Sequence, residues 1–341
     1  AYQLVWDYFK PEIVEEDWTN NFDVDQKLDE YLLQDRENSF SPEDLPQWRV
    51  LLVRTELDGY LLVWSAHHSI IDGWSMGLLL NDLTEAYDAL IAGKKENALA
   101  VSRPYREYVS WLTSQGLEKT ETFWREYLSG FEEATPLPKM TMKNVENGVE
   151  EESTHVHQVM DQKLYGKLKQ FSKENNLTIN TVLQGAWAIV LARYSGRQDV
   201  VFGTVASGRT GEVEGIEEMV GLFINTLPLR VKLPNEQPVL DWLQGIQEDN
   251  LSIRQYEQTP LNLVRGWSDF SSGARLFETL FVFENYPNKT RESNFEINMI
   301  RSEERVSYPL SIVFTNMKTI EVNIQFDTSV FDLSSVTQIT A

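Results

Sequence analysis

His67-His68-Ser69-Ile70-Ile71-Asp72-Gly73 is the stretch that decides how this chain is interpreted, because it holds two of the four histidines in 341 residues. Histidine is the side chain that most readily gains and loses a proton near neutral pH. Asp72 supplies a charge that can orient a neighbouring group, and Gly73 leaves the backbone free to turn. The combination predicts a site that handles protons, and it favours an enzyme.

The residues before the motif predict a β-hairpin. Arg49–Glu56 and Tyr60–His67 are apolar, strand-like runs, and Leu57-Asp58-Gly59 lies between them. An Asp-Gly pair between two such runs is typical of a tight hairpin turn. The second strand therefore leads directly into the motif.

The residues after the motif predict a helix. Ser75–Ile91 carries an apolar stripe at helical spacing, and Gly93 follows as a stop signal. The histidines are therefore expected at the end of a strand, with the Asp-Gly pair in the turn to a helix. Because strand side chains alternate between faces, we expect one of His67 and His68 to point inward to packing and the other outward to a cleft.

Purely structural explanations exist for each residue separately. A single histidine at a strand end is usually a surface residue, and Asp72 could simply cap the following helix. The whole set at one strand–turn–helix junction favours function.

Further segments, spread along the chain in a fixed order, carry similarly distinctive patterns: Trp74-Ser75, Tyr105–Trp111, Gly203–Arg209, Val220–Arg230, Tyr256–Leu261 and Phe281–Pro287. With the His-His-x-x-x-Asp-Gly signature, they resemble the condensation domains of nonribosomal peptide synthetases. This resemblance implies an α+β fold with two chloramphenicol-acetyltransferase-like lobes, arranged as a V-shaped pseudo-dimer around a central channel. We expect the lobes at residues 1–145 and 146–341, because residues 130–152 are rich in turn formers and acids, as a linker would be.

The resemblance also implies the reaction. The amine of an acceptor aminoacyl thioester attacks a donor aminoacyl or peptidyl thioester, each held by a phosphopantetheine arm on a carrier protein. His68 is expected to face the channel, as a general base or as a positioning residue. His67, Asp72 and Gly73 would shape the active site, while Asn225 and Ser311 are weaker candidates for channel contacts.

The expected partners are the donor and acceptor peptidyl carrier proteins and an adjacent adenylation domain. No cofactor of the domain's own and no bound metal are expected. His155 and His157 share one strand face, but without cysteine or an obvious third ligand they indicate an exposed surface.

Two classes of partner are disfavoured by composition. A net charge of −22 argues against nucleic acid, which needs a basic surface. The longest apolar run, Gly185–Ala192, is too short to span a bilayer, so we expect no membrane. The chain has no cysteine and therefore no disulfide, which fits an expected cytoplasmic location.

Several alternatives stay open at this point. Epimerisation domains share the histidine motif but move a proton on one substrate, and a non-catalytic module could instead recruit other enzymes. Heterocyclisation domains are disfavoured because they carry an aspartate pattern in place of the histidines. Acyltransferases that use coenzyme A share the histidine motif but fit the later segments less well. The chain is also expected to lack the family's N-terminal segment, whose arginine is thought to pair with Asp72, which makes its activity uncertain.

Overall fold

The computed structural model describes residues 13–20, 23–41, 43–56, 59–94, 102–137, 154–210, 213–270, 275–285, 297–302, 304 and 307–340. The chain divides into two compact units. One contains residues 1–82 and 219–222, and the other contains residues 83–218 and 223–341. The predicted lobe boundary near residue 145 stays a prediction.

The first unit is built on a three-stranded sheet in the order β1-β2-β3. Its elements are β1 (Ile13–Asp17), α1 (Val24–Glu37), β2 (Trp48–Arg54), β3 (Tyr60–Ala66) and the start of α2 (Gly73–Ile91). β1 pairs with β2 in parallel, and β2 pairs with β3 in antiparallel. Its small core is made by Trp18, Leu28, Leu51 and Val53.

The hairpin ahead of the motif is confirmed. Arg54 faces Tyr60 at its closed end, and Trp48 faces Ala66 at the end that leads to the motif. The backbone N–H of Thr55 donates to the carbonyl of Gly59 at 2.9 Å. The predicted turn residues Leu57 and Asp58 lie outside the described residues.

The second unit holds a six-stranded sheet in the order β4-β9-β8-β7-β5-β6. Its strands are β4 (Thr154–Val159), β5 (Asp199–Ala206), β6 (Asn225–Lys232), β7 (Thr279–Glu284), β8 (Leu310–Asn316) and β9 (Ile320–Phe326). Its helices are the rest of α2, α3 (Arg106–Ser114), α4 (Glu118–Tyr127), α5 (Gln162–Glu174), α6 (Ile179–Ser195), α7 (Val239–Arg254), α8 (Leu261–Trp267) and α9 (Leu333–Thr340), with a short 3₁₀ turn at Ile216–Glu218.

One face of this sheet packs on the central helix α6. The Gln184 side chain of α6 donates to Thr204 Oγ1 of β5 at 3.1 Å. Strand register places Thr204, Phe281, Ile312 and Ile324 side by side, and all four are buried. Because strand side chains alternate, the neighbouring row of Gly203, Leu280, Ser311, Gln325 and His155 belongs to the opposite face.

Most predicted elements are observed with small shifts at their ends. The helix predicted at Ser75–Ile91 begins two residues earlier, at Gly73, and Gly93 ends it with a left-handed φ of 70°. Residues 138–153 of the predicted linker lie outside the described residues. Among the described residues, no helix is long and apolar enough to cross a membrane.

Candidate active site

The motif histidines lie in a turn and not on a strand, because β3 ends at Ala66. The backbone N–H of His67 donates to the Gln47 carbonyl at 2.9 Å, and the His67 carbonyl accepts from the N–H of Ile70 at 3.2 Å. Both imidazoles belong to exposed residues. The expectation that one histidine points into packing was therefore wrong: strand alternation stops one residue before the pair.

The His67 ring is held by its own loop. Its Nδ1 accepts from the backbone N–H of Ser69 at 3.1 Å and lies 2.7 Å from Ser69 Oγ. A nitrogen that accepts an N–H bond carries no proton, so neutral His67 has its proton on Nε2. The ring also meets Phe40 edge-on, with 6.5 Å between centroids. These contacts fix the shape of the turn that carries His68.

Asp72 is the N-cap of the motif helix. It is 2% exposed, and its Oδ1 accepts from the backbone N–H of Ser75 at 2.8 Å. A capping carboxylate at this position satisfies a helix N–H that would otherwise have no partner, which explains why the helix begins at Gly73. Gly73 is the first helical residue, where a left-handed conformation is not required.

Ser75 ties this helix to a distant part of the chain, a contact that was not predicted from the sequence. Its side chain is completely buried. Its Oγ donates to the carbonyl of Gly221 at 2.8 Å and accepts from the N–H of Gly221 at 3.1 Å. Gly221 belongs to Met219–Leu222, a strip of chain that is part of the first unit. The only sequence signal was that Ser75 and Gly221 each lie in a recognisable motif.

In the second unit, Asn225 binds loop backbone. Its amide nitrogen donates to the carbonyls of Glu257 at 2.9 Å and Thr259 at 2.6 Å, and its Oδ1 accepts from the N–H of Thr226 at 3.0 Å. The Glu257 carboxylate, itself buried, accepts from both the N–H and the hydroxyl of Thr210. Asn225 and Glu257 thus join the start of β6 to the chain that leaves β5.

Ser311 lies on the sheet face opposite α6. It is completely buried, and its Oγ has no hydrogen-bond partner in the described part of the chain. Gln325 is its cross-strand neighbour, and the Oε1 of Gln325 is likewise buried without a partner. Cross-strand neighbours have side chains on the same face, so this face of the sheet holds two buried polar side chains. Ser311 was a candidate from the sequence, whereas Gln325 was not.

An aromatic pair lies on the same sheet face. A side chain at Gly203 would overlap the ring of Phe277, which places that ring over this face. Phe277 stacks on Tyr308 with 5.4 Å between centroids. Burial raises the pKa of Tyr308 above its ordinary value of 10.

The remaining histidines lie on the outer strand β4. Both His155 and His157 are exposed, and His157 Nε2 lies 3.4 Å from the Glu321 carboxylate. Within the described ranges, no three histidine, aspartate or glutamate side chains come together as possible metal ligands.

Comparison with known proteins identifies the family. The condensation-domain family matches residues 1–341. The chain is 37% identical to one of the linear gramicidin synthase proteins of Brevibacillus parabrevis over 342 residues, covering 99% of this chain and 7% of that protein. It is 34% identical to bacitracin synthase 3 of Bacillus licheniformis, covering 92% of this chain and 5% of that protein. The chain thus spans less than a tenth of these relatives.

Solved structures agree on the fold. The X-domain from teicoplanin biosynthesis matches with a TM-score of 0.79 at 19% identity, covering 99% of this chain and 78% of that one. The first condensation domain of the calcium-dependent antibiotic synthetase matches with a TM-score of 0.72 at 19% identity, covering 96% and 75%. The predicted α+β, chloramphenicol-acetyltransferase-like class is therefore confirmed, and the chain belongs to the condensation-domain family of nonribosomal peptide synthesis.

Proposed function

We propose that this domain forms a peptide bond between a donor aminoacyl or peptidyl thioester and the amine of an acceptor aminoacyl thioester. The observation that carries the proposal is the motif loop itself. His67 is tied down by Ser69 and Asp72 is engaged as a helix cap, while His68 lies between them as an exposed imidazole. The loop thus holds the His68 imidazole at the surface, where a substrate can reach it.

His68 would act on the attacking amine. As the C–N bond forms, the nitrogen becomes acidic, and a neutral imidazole can accept its proton or hold the amine in line with the carbonyl. General-base assistance is worth about 10²–10⁴ in rate, and correct positioning of two reactants can be worth more. The sulfur of the thioester leaves with the electron pair and takes up a proton. No covalent bond to the enzyme is needed.

The other site residues would support this step. Ser311 would contribute to the wall of the channel, next to Gln325 on the same face of the sheet. Asn225 would hold the start of β6 in place through its bonds to the loop at Glu257 and Thr259. Gly73 would let the chain pass close to the substrate without a side chain.

The substrates would arrive on other protein domains. We propose donor and acceptor peptidyl carriers, each with a phosphopantetheine arm, and an adjacent adenylation domain that loads them. The domain itself would bind no further cofactor. The matched relatives are synthases many times the length of this chain, which supports such neighbours.

An intact-mass assay tests the class of reaction. The domain is mixed with an aminoacyl donor carrier and an aminoacyl acceptor carrier, and both carriers are weighed over time. Condensation predicts that the acceptor carrier gains the donor residue while the donor carrier loses it. Unchanged masses with inversion at the α-carbon of one loaded residue would instead establish epimerisation. Unchanged masses and unchanged stereochemistry would favour a non-catalytic recruiting module.

A further inference from the structure

Helix α5 (Gln162–Glu174) is positively charged, although the chain as a whole is strongly negative. The net charge of the whole chain is −22, yet this 13-residue helix carries four lysines and one acid, Glu174. The lysines are Lys163, Lys167, Lys169 and Lys173, and all four are exposed. None of them forms an ion pair with a carboxylate in the described part of the chain. Such a cluster keeps a positive potential on an otherwise acidic surface.

Apolar side chains lie beside two of these lysines. Tyr165, Leu168 and Ser172 form the inner face of α5, because they are the side chains turned toward the rest of the unit. Helical spacing of 100° per residue then places Lys163 and Lys167 outward, with Leu164 and Phe171 on one flank. Leu164 is 55% exposed and Phe171 is 38% exposed. Lys169 and Lys173 lie on the other flank.

A neighbouring hairpin holds α5 in place. The Tyr165 hydroxyl donates to Asn316 Oδ1 at 3.0 Å, which ties the first turn of α5 to the turn between β8 and β9. The Thr319 hydroxyl donates to the Met160 carbonyl at 2.9 Å and holds the same turn from its other side. Met317, in that turn, is 56% exposed, and Lys318 follows it.

We propose that Lys163, Leu164, Lys167 and Phe171, which we call the α5 surface, dock one of the two phosphopantetheinylated carrier domains. The inference rests on the proposed function, and it names where a partner binds. A carrier's arm is joined to its protein through a phosphodiester, so every loaded carrier presents negative charge next to the arm. Positive charge steers such a partner, while a few exposed apolar side chains supply contact area that survives salt screening.

The strongly acidic character of the remaining chain favours this location. Elsewhere an anionic domain meets net repulsion, so a basic patch both attracts and orients it. A transient partner that must leave after each turnover suits a small surface of this kind, since weak signalling and transfer encounters use small interfaces.

Direct binding is the test, because it does not require the chemistry to work. A fluorescently labelled holo-carrier is titrated with the domain, and the dissociation constant is read from anisotropy. Lys163→Glu together with Lys167→Glu should weaken binding of one carrier by about tenfold or more, since charge reversal replaces attraction with repulsion. Leu164→Ser with Phe171→Ser should weaken it at high salt as well as at low salt.

The other flank of the same helix gives a matched control. Lys169→Glu with Lys173→Glu changes the net charge by the same amount but lies away from Leu164 and Phe171. It should change the dissociation constant by no more than about twofold to threefold, the effect of long-range charge alone. Equal effects of the two double variants, or no effect of the first on either carrier, would overturn the proposal.

Catalysis gives a second readout that separates docking from chemistry. With carrier-bound substrates, the Lys163/Lys167 variant should raise KM for one carrier and leave kcat unchanged. With small, freely diffusing aminoacyl thioesters, which bypass docking, it should behave as wild type. An equal loss on the small thioesters would show that the helix supports the reaction or the fold and not the partner.

Discussion

Replacing Ser75 by alanine tests whether the motif helix is anchored by the distant strip Met219–Leu222. The Ser75 hydroxyl satisfies both the carbonyl and the N–H of Gly221, in a place that water does not reach. Leaving a buried polar group without a partner costs about 1–3 kcal/mol. Two such groups, offset by about 0.5 kcal/mol from the better helix propensity of alanine, give an expected loss of about 1.5–5.5 kcal/mol in the free energy of unfolding.

A second buried serine provides the control. Ser172 also lies in a helix and is 4% exposed, but its Oγ has no hydrogen-bond partner in the described part of the chain. Ser172→Ala should therefore change stability by less than about 0.5 kcal/mol, or should stabilise the protein, because no bond is lost.

Urea unfolding of the two variants and the wild type measures the difference. Hydrogen exchange adds a local readout, since the Gly221 amide should exchange faster in Ser75→Ala and be unchanged in Ser172→Ala. Equal unfolding free energies for the two variants, with unchanged protection at Gly221, would refute the anchoring role.

Three further predictions concern the cap, a glycine and a buried acid. Asp72→Ala should destabilise the protein by at least about 0.5–2 kcal/mol through loss of the N-cap, and Asp72→Asn should destabilise it less because asparagine also caps helices; equal unfolding free energies in urea for the two variants would contradict this. Gly208→Ala should lower the melting temperature far more than Gly130→Ala. Both glycines have a left-handed φ, but only at Gly208 would a side chain overlap the Phe223 backbone. Burial, assisted by the Glu248 carboxylate and opposed by Lys232, raises the pKa of Asp249 to about 6 from its ordinary 3.8. Between pH 3.8 and about 6, the folded protein keeps the Asp249 proton that the unfolded chain has lost. The stability that comes from protonated Asp249 is therefore full below about pH 4 and is lost as the pH rises through about 6. Asp249→Asn should therefore lose less stability than wild type between pH 4.5 and pH 7, and parallel curves would contradict the assignment.

The strand–turn–helix around the motif could be predicted because it depends on local chemistry. The Asp-Gly hairpin signal, the apolar stripe and Gly93 each act over a few residues, and the observed ends differ by one or two positions. The orientation of the histidines could not be predicted, because it depends on where β3 stops. The strand ends at Ala66, one residue before the pair, and no local sequence pattern marks that end.

The long-range contacts of the site could not be predicted from the sequence for a different reason. Ser75 and Gly221 are 146 residues apart, and Ser311 and Gln325 become neighbours only through the register of β8 and β9. A sequence pattern can mark each of these residues, but it does not state which of them meet. Asn225 shows the same limit: its role in the channel stays a prediction, and its bonds to Glu257 and Thr259 depend on how the loop folds.

The rate of dipeptide formation by His68→Ala, beside His155→Ala as an exposed histidine control, tests the central claim most directly. With loaded donor and acceptor carriers and wild-type stability verified for both variants, we predict a loss of about 10²–10⁴ for His68→Ala and an unchanged rate for His155→Ala. A His68→Ala rate within about threefold of wild type would contradict proton transfer or positioning by this imidazole, because either role requires a larger loss.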